Sequence, residues 1–279
     1  MRFLLQFHPR NFFRALRKID DEAAAERANL TGPDYRPAVT LFVATFCLLI
    51  VHYLKLSSSF YMFLEDLSQF TGHAPQQLGL ELSRTTFSRL LIFGWWGFWH
   101  LVGYVLIPLA AIKWLLRDSV QKYGLGIAGL RQYLKWCVFL ATPMLVATLL
   151  VSSRKDFASM YPFYRLAFRS WVDLLAWESI YLTQVIFHEF FFRGFLLYGC
   201  KRAFGSTAIF VMCVPYFMIH LGKPWIEATG SIFFGLFLGM LVLRARSIWS
   251  AVLVHSAVAL SMDLLALVQT RGLPTRWWP

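Results

Sequence analysis

The sequence contains little charge, and its acidic residues are scarcer than its basic ones. Charged residues make up 15% of the 279 residues, with 15 Asp and Glu against 27 Lys and Arg, while hydrophobic residues make up 58%. A soluble domain carries about 25% charged residues, so this composition excludes a soluble globular protein and indicates an integral membrane protein. The basic residues cluster between apolar runs, where anionic headgroups would meet them, so the expected partner of this charge is a lipid bilayer and no nucleic acid.

Cysteine is also rare, and its four positions show no metal-binding spacing. All four lie in or beside apolar runs and are expected to be small core residues: Cys47, Cys137, Cys200 and Cys213. We therefore expect neither a metal nor another cofactor.

The N-terminal stretch MRFLLQFHPRNFFRALRKID lacks the apolar core and cleavage site of a signal peptide. It is basic and amphipathic, which favours a position on the cytoplasmic membrane surface, with Phe and Leu in the interface and Arg among the headgroups.

The apolar runs predict an all-α fold, a polytopic membrane bundle of about seven, six to eight, transmembrane helices. A helix needs about 20 apolar residues to cross the bilayer core. Seven runs qualify: Pro37 to Leu54, Leu90 to Ile112, Leu134 to Val151, Trp171 to Tyr198, Ser206 to Leu221, Ala228 to Leu243 and Ile248 to Val268. Pro108 and Pro143 lie inside the second and third runs and are expected to kink them.

The distribution of Lys and Arg predicts the orientation of these helices. More of them lie in the segments that a cytoplasmic N-terminus would place inside, which favours N-terminus in and C-terminus out. The basic loop from Arg154 to Arg169 is the one segment that argues against this orientation.

Three charged or polar side chains interrupt the fourth run in the stretch HEFFFRG, from His188 to Gly194. An ionised group at the bilayer centre costs about 2.5 to 3.5 kcal/mol, so such groups usually face a bundle interior or a watery cavity. Glu189 and Arg193 are spaced i, i+4 on one helical face, so the guanidinium can neutralise and orient the carboxylate. Gly194 permits a neighbouring helix to approach closely.

The later runs contain only three other strongly polar positions deep in their apolar stretches, which are His220, His255 and Asp263. We counted depth from the cytoplasmic end of each predicted run at a rise of 1.5 Å per residue. On this count Glu189, His220 and His255 lie about 15, 20 and 10 Å deep. We therefore expect them to share one layer. A carboxylate beside histidines in a cavity that holds water is a plausible general base.

These residues resemble the motifs of the CPBP family, also called Abi or CAAX-protease-like, whose members are intramembrane glutamic endopeptidases and include the type II CAAX prenyl proteases. The resemblance runs from Trp177 to Leu267. The first family motif, EExxxR followed by Gly, matches at Glu189, Arg193 and Gly194. The second, FxxxH, is matched over Phe217 to His220, and the third, HxxxN, at His255 alone.

Two positions depart from these motifs. His188 stands where the first Glu of the family would be, and Ala259 stands where its Asn would be. The sequence after His255 resembles a bacterial subgroup in which the residue before a single Glu varies. This resemblance implies a bacterial inner (plasma) membrane and leaves Glu189 as the only carboxylate of the motif.

The resemblance implies an endopeptidase that hydrolyses a peptide bond of a membrane-associated peptide or protein. Glu189, aided by His220 and by His188, would deprotonate a water, His255 would donate to the oxyanion, and Arg193 would hold Glu189. The implied organisation is a basic N-terminus over 1–36, transmembrane helices and loops over 37–170, core helices with the site over 171–270, and a tail over 271–279.

Other functions remain open for the same residues. Three histidines and a Glu could bind zinc, although HEFFFR lacks the HExxH pair that places two ligands on one helical face. A catalytically inactive relative, serving as a membrane scaffold or immunity protein, would also account for the missing Glu and Asn. The Glu189–Arg193 pair could be purely structural, and His220 could cap a helix end. Asp263 could orient His255 or a water, or it could serve the structure alone.

Overall fold

The computed structural model of the protein describes residues 9–127 and 130–279. These residues form α-helices joined by short turns, π-helical segments and 3₁₀ turns, and they contain no β-strand. The predicted all-α fold is therefore confirmed. The α-helices are α1 Pro9–Ala28, α2 Arg36–Leu54, α3 Ser57–Phe70, α4 Gln77–Ser83, α5 Ser88–Leu101, α6 Ile107–Ala110, α7 Leu130–Ser152, α8 Lys155–Met160, α9 Trp171–Glu189, α10 Leu197–Phe204, α11 Ala208–Met218, α12 Trp225–Ala245 and α13 Trp249–Thr270.

Five helices in the described ranges are long and apolar enough to cross a membrane. They are Arg36–Leu54, Ser88–Leu115, Leu130–Ser152, Trp225–Ala245 and Trp249–Thr270. Each coincides with one of the seven predicted runs, so the chain is an integral membrane protein with a helical bundle. The fourth predicted run is divided between α9, a π-helical segment and α10, and the fifth contains the 11 residues of α11. Seven crossings therefore stay a prediction.

The two prolines predicted to kink their helices differ in their surroundings. Pro108 lies in the four residues of α6, with π-helical segments Val102–Leu106 before it and Ala111–Leu115 after it. Proline lacks an amide donor and clashes with the preceding turn, and wider π turns are a common local adjustment in such helices. Helix α7, in contrast, continues through Pro143 without a change of helix type.

The chain divides into two compact units, each assembled from separate stretches of sequence. The first unit comprises Met1–Ala44, Pro108–Leu140 and Glu189–Val254. The second unit comprises Thr45–Ile107, Ala141–His188 and His255–Pro279. The four consecutive segments expected from the sequence stay a prediction, and residues 1–8 of the predicted N-terminal segment lie outside the described residues.

In the first unit, α1 is held against the helix ends by ion pairs. Glu22 accepts hydrogen bonds from Lys201 Nζ at 3.1 Å and from Arg246 at 2.9 Å, and Asp20 accepts one from the backbone amide of Ser206 at 2.6 Å. Ile19 and Ala23 are buried on the same helix. Helix α1, which contains part of the predicted amphipathic stretch, is thus packed within the first unit. Arg27 adds to the contacts of the acidic residues by donating to the carbonyl oxygens of Arg202 and Ala203.

Helices α11 and α12 pack closely because glycines of α12 leave room for side chains of α11. A Cβ added at Gly235 would lie 2.9 Å from Cys213 Sγ and 3.0 Å from the Tyr216 ring. At Gly239 the nearest atom would belong to Ile209, at 3.0 Å. Small residues at such a crossing let helix backbones approach, and here they fix the position of Tyr216.

We expect Gly235→Ala to destabilise the protein and Gly230→Ala to leave it unchanged or more stable. Both glycines lie inside α12, so alanine gains about 0.5 to 1 kcal/mol of helix propensity at each position. At Gly235 the new methyl group collides with Cys213 and Tyr216, whereas nothing lies within 4 Å at Gly230. Overpacking typically costs about 1 to 3 kcal/mol. Thermal unfolding of both variants in detergent measures the difference, and equal midpoints would contradict the packing argument.

In the second unit an aromatic core surrounds Trp177 of α9. Trp177 is fully buried and stacks on Tyr181 with ring centroids 5.1 Å apart, while Phe93 meets it edge to face at 4.7 Å. Its indole Nε1 donates a hydrogen bond to Asp263 of α13 at 2.5 Å. This contact ties α9 to α13 and gives Asp263 a structural partner.

Candidate active site

Both units of the chain contribute predicted site residues. Glu189, Arg193 and His220 belong to the first unit, and His188 and His255 belong to the second. We call the first group, together with Tyr216, the carboxylate cluster. We call the second group, together with His100 and Tyr104, the imidazole cluster.

The carboxylate cluster begins where the α-helix changes type. Helix α9 ends at Glu189, and the next seven residues, Phe190–Leu196, form a π-helical segment that is completely buried. Short π segments inside helices are frequently found at functional sites. Gly194 of this segment admits the backbone of another segment, because an added Cβ would lie 3.1 Å from the Tyr123 carbonyl oxygen.

Glu189 and Arg193 form the ion pair that their spacing predicts. Arg193 Nη1 donates to Glu189 Oε1 at 3.0 Å, and both side chains are 0% exposed. The Arg193 guanidinium also lies over the ring of Tyr216, with Cζ 4.0 Å from the ring centroid. A cation over an aromatic face is attracted by the ring quadrupole, by about 2 kcal/mol or more when the pair is desolvated. The guanidinium is thus fixed on two sides and holds the carboxylate in one orientation.

His220 joins this cluster through the same tyrosine. Its ring centroid lies 4.8 Å from that of Tyr216, and its Nδ1 lies 2.8 Å from the Tyr216 carbonyl oxygen. A carbonyl oxygen only accepts hydrogen bonds, so Nδ1 carries the proton, and in the neutral ring Nε2 carries the lone pair. The contact also satisfies a carbonyl near the end of α11, so the helix-capping role considered for His220 is present alongside a tautomer suited to a base.

The assignment of the second motif to Phe217 is wrong, and Tyr216 occupies the first position of this motif. Phe217 stands three residues before His220, one short of the FxxxH spacing, and the residue four before His220 is Tyr216. In the structure Tyr216 is fully buried and contacts both Arg193 and His220. A strict count of the motif spacing identifies this residue from the sequence.

The imidazole cluster is a line of four rings in the second unit. His188 and His255 face each other edge to face with ring centroids 5.4 Å apart. Tyr104 lies 6.0 Å from His188, and His100 lies 5.2 Å from Tyr104. His100 and His188 are buried and His255 is half-buried. Two histidines of the motifs are thus brought together, although 67 positions separate His188 from His255 in the chain.

The motifs of the sequence include neither His100 nor Tyr104. His100 is a buried ionisable group within an apolar helix, which is itself a signal of a polar interior. Its Nδ1 lies 2.7 Å from the Trp96 carbonyl oxygen, so this nitrogen carries a proton. His52, which also lies in an apolar run, is exposed and contacts Tyr53.

Asp263, Ala259 and Glu178 lie outside both groups of site residues. Asp263 accepts the Trp177 hydrogen bond described above, which favours the structural role over an orienting one. Ala259, which replaces the family's Asn, is buried in the aromatic core of the second unit. Glu178 is buried on α9, and its carboxylate receives no hydrogen bond from the part of the chain that the structure describes.

Comparison with known proteins supports the family resemblance of these motifs. Residues 169–261 match the family model described as type II CAAX prenyl endopeptidase Rce1-like. No curated protein matches the chain, and no solved structure does. The matched residues contain Glu189, Arg193, His220 and His255. The CAAX-protease-like resemblance inferred from the three motifs is therefore confirmed by the Rce1-like family model over residues 169–261.

Proposed function

We propose that this chain is an intramembrane endopeptidase of the glutamic type, which hydrolyses a peptide bond in a membrane-associated peptide or protein. The observation that carries the proposal is the buried Glu189–Arg193 pair, held over Tyr216 beside a histidine of defined tautomer. A fully buried carboxylate with a fixed guanidinium partner is positioned to act on a bound water. The match of residues 169–261 to a protease family model supports the reaction class.

In the proposed reaction Glu189 removes a proton from water, and the resulting hydroxide attacks the scissile carbonyl carbon. His220 assists through Nε2, and Arg193 keeps Glu189 in place. His255 donates to the oxyanion that forms on the carbonyl oxygen, with His188 as a neighbouring polar group. When the C–N bond breaks, the proton held by Glu189 passes to the leaving amine, which restores the carboxylate. No metal or cofactor enters this scheme.

A zinc-dependent mechanism is the second candidate, because His188 and His255 place two imidazole rings together. Zinc sites in hydrolases usually have three protein ligands and one open position. Cleavage by purified protein in the presence of 1,10-phenanthroline separates the two mechanisms. Activity that persists under chelation supports the glutamic mechanism, and activity that is lost and then restored by zinc supports the metal.

The proposal is tested first by finding a substrate and then by removing the proposed groups. Comparison of protein termini in membranes with and without this chain identifies polypeptides whose mature end changes. Cleavage of one of them is then measured with purified wild type, His220→Ala and His255→Ala. General acid–base groups contribute about 10²- to 10⁴-fold and oxyanion donors about 10²- to 10³-fold, so losses of this size are expected.

His52→Ala is the matched control, because His52 is an exposed imidazole outside both clusters. We expect it to cleave at the wild-type rate. If His220→Ala and His255→Ala also cleave at that rate, the protease proposal fails. An inactive scaffold or immunity protein would instead show no terminus that depends on the presence of this chain.

We also propose that the N-terminus lies in the cytoplasm of a bacterial cell, with the bundle in its inner membrane. The support is that α1 is ion-paired to Lys201 before α11 and to Arg246 before α13. These basic connections belong to the segments that the sequence assigned to the inner side. Excess Lys and Arg on one side is typical of the cytoplasmic face.

A further inference from the structure

The second unit contains a cavity, and none of the residues that line it belongs to the imidazole cluster. Its volume is about 670 Å³, within the range of about 300 to 1,000 Å³ found for small-molecule sites. Three of its lining residues are cations, Lys55, Arg89 and Arg165, and none is acidic. The rest of the lining is mainly apolar and aromatic. The cavity therefore combines a positive rim with an apolar wall.

The three cations come from three different segments, and two of them lie at helix boundaries. Lys55 directly follows α2, and Arg89 is the second residue of the candidate membrane span Ser88–Leu115. Residues at the ends of membrane-spanning helices lie at the level of the lipid headgroups. Two of the three charges are therefore placed where the bilayer presents its phosphates.

The third cation is held in place by backbone carbonyl groups. Arg165 Nη1 donates to the carbonyl oxygens of Ala158 at 3.0 Å and Tyr161 at 3.2 Å, and its Nη2 donates to that of Ser159. These partners are neutral, so the guanidinium keeps its full charge. An arginine fixed in this way loses less side-chain freedom when it meets an anion.

One carboxylate beside the cavity lining, Asp173, is paired with other groups. Tyr164, which lines the cavity, donates its hydroxyl to Asp173 at 2.5 Å. Asp173 also receives two hydrogen bonds from Arg169, both at 2.7 Å. Its charge is therefore compensated by Arg169.

The wall of the cavity is rigid and apolar. Trp96 packs on the buried His100 at 4.4 Å between ring centroids, and Phe163 meets Trp177 edge to face at 6.3 Å. Aromatic rings at this level are typical of the membrane interface, where one end of a group is wet and the other is apolar. A ligand that matches both parts has an anionic head and an apolar body.

We propose that this cavity binds the headgroup of an anionic phospholipid, with its phosphate among Lys55, Arg89 and Arg165 and its glycerol and first acyl carbons against Trp96 and Phe163. The location at the ends of two membrane spans favours a lipid over a soluble ligand. The site is independent of the peptidase proposal, because none of its lining residues has a role in that reaction.

The test is a lipid titration of the full chain, purified in a non-ionic detergent and followed by native mass spectrometry. Phosphatidylglycerol, phosphatidylcholine with the same acyl chains and inorganic phosphate are titrated separately. We expect retention of one phosphatidylglycerol, weaker retention of phosphatidylcholine and none of inorganic phosphate. Equal retention of both lipids, or binding of inorganic phosphate as tight as that of phosphatidylglycerol, would overturn the proposal.

Arg89→Gln and Arg84→Gln form a matched pair of variants. Both arginines are exposed and lie five positions apart, but only Arg89 lines the cavity. A cation near a membrane surface contributes about fivefold in lipid affinity, so Arg89→Gln combined with Lys55→Gln should weaken binding about 30-fold. Arg89→Lys should retain most of the affinity, and Arg84→Gln should retain all of it. Equal losses in the Arg84 and Arg89 variants would show general charge attraction and contradict a built site.

A peptide with a free C-terminal carboxylate provides the remaining comparison. Its amidated form has the same apolar body without the charge. If the free acid binds in place of phosphatidylglycerol and the amide does not, the cavity is a peptide-terminus site and the lipid assignment is wrong. If neither peptide competes with phosphatidylglycerol, the lipid assignment is supported.

Discussion

Glu189→Gln is expected to lower the cleavage rate by about 10³-fold while the protein keeps its fold. Glutamine has nearly the shape of glutamate and can still accept the hydrogen bond from Arg193 Nη1, which is 3.0 Å from Glu189 Oε1 in the wild type. Its amide cannot take a proton from water, so the general base is lost. Such groups contribute about 10²- to 10⁴-fold to catalysis.

Glu178→Gln is the control for this experiment, because it removes another buried carboxylate from the same helix. Cleavage is measured on the folded fraction of each variant, well below its unfolding temperature. We expect Glu178→Gln to cleave at the wild-type rate. Equal rates for Glu189→Gln and wild type would exclude Glu189 as the base.

Arg193→Ala is expected to cost about 3 to 5 kcal/mol of stability, because it leaves the Glu189 carboxylate buried without its cation. Both side chains are 0% exposed, so water does not replace the lost partner. The variant also loses the contact of the guanidinium with Tyr216. Arg193→Lys should recover part of the loss, since an ammonium keeps the charge but cannot stack as a planar group. The free energy of unfolding in mixed micelles measures both variants.

The double variant Glu189→Gln/Arg193→Met distinguishes the effect of the ion pair on folding stability from its effect on the cleavage rate. Replacing a buried ion pair by neutral groups of similar volume is often neutral or stabilising. We therefore expect the double variant to be more stable than Arg193→Ala and to remain inactive. If the losses of stability of Glu189→Gln and of the single variant Arg193→Met simply add in the double variant, the two residues do not interact, and the orienting role of Arg193 is wrong.

The contact between Glu189 and Arg193 was predictable because it depends on spacing within one helical stretch. Residues four apart lie on the same face, and the contact persists although a π-helical segment begins directly after Glu189. The tautomer of His220 also depends on a nearby residue, because its Nδ1 donates to the carbonyl oxygen of the residue four positions before it. The roles of these residues in catalysis stay a proposal.

The contacts within the second unit could not be predicted from the spacing of residues along the sequence. His100 and Tyr104 lie more than 80 positions before His188, and no periodicity in the sequence connects them. They meet because the helices that carry them pack together in the bundle. The cavity lined by Lys55, Arg89 and Arg165 also could not be predicted from spacing, because packing brings its three charges together from three segments.

The sequence by itself determined the membrane class, the helical fold, the family motifs and the Glu189–Arg193 pair, because these depend on composition and on intervals of a few residues. Only the tertiary structure decided that Tyr216 lies under Arg193, that His188 meets His255, and that three basic residues surround an aromatic cavity. These contacts join distant parts of the chain. They are set by the way side chains fill the space between helices, which hydrophobic periodicity does not specify.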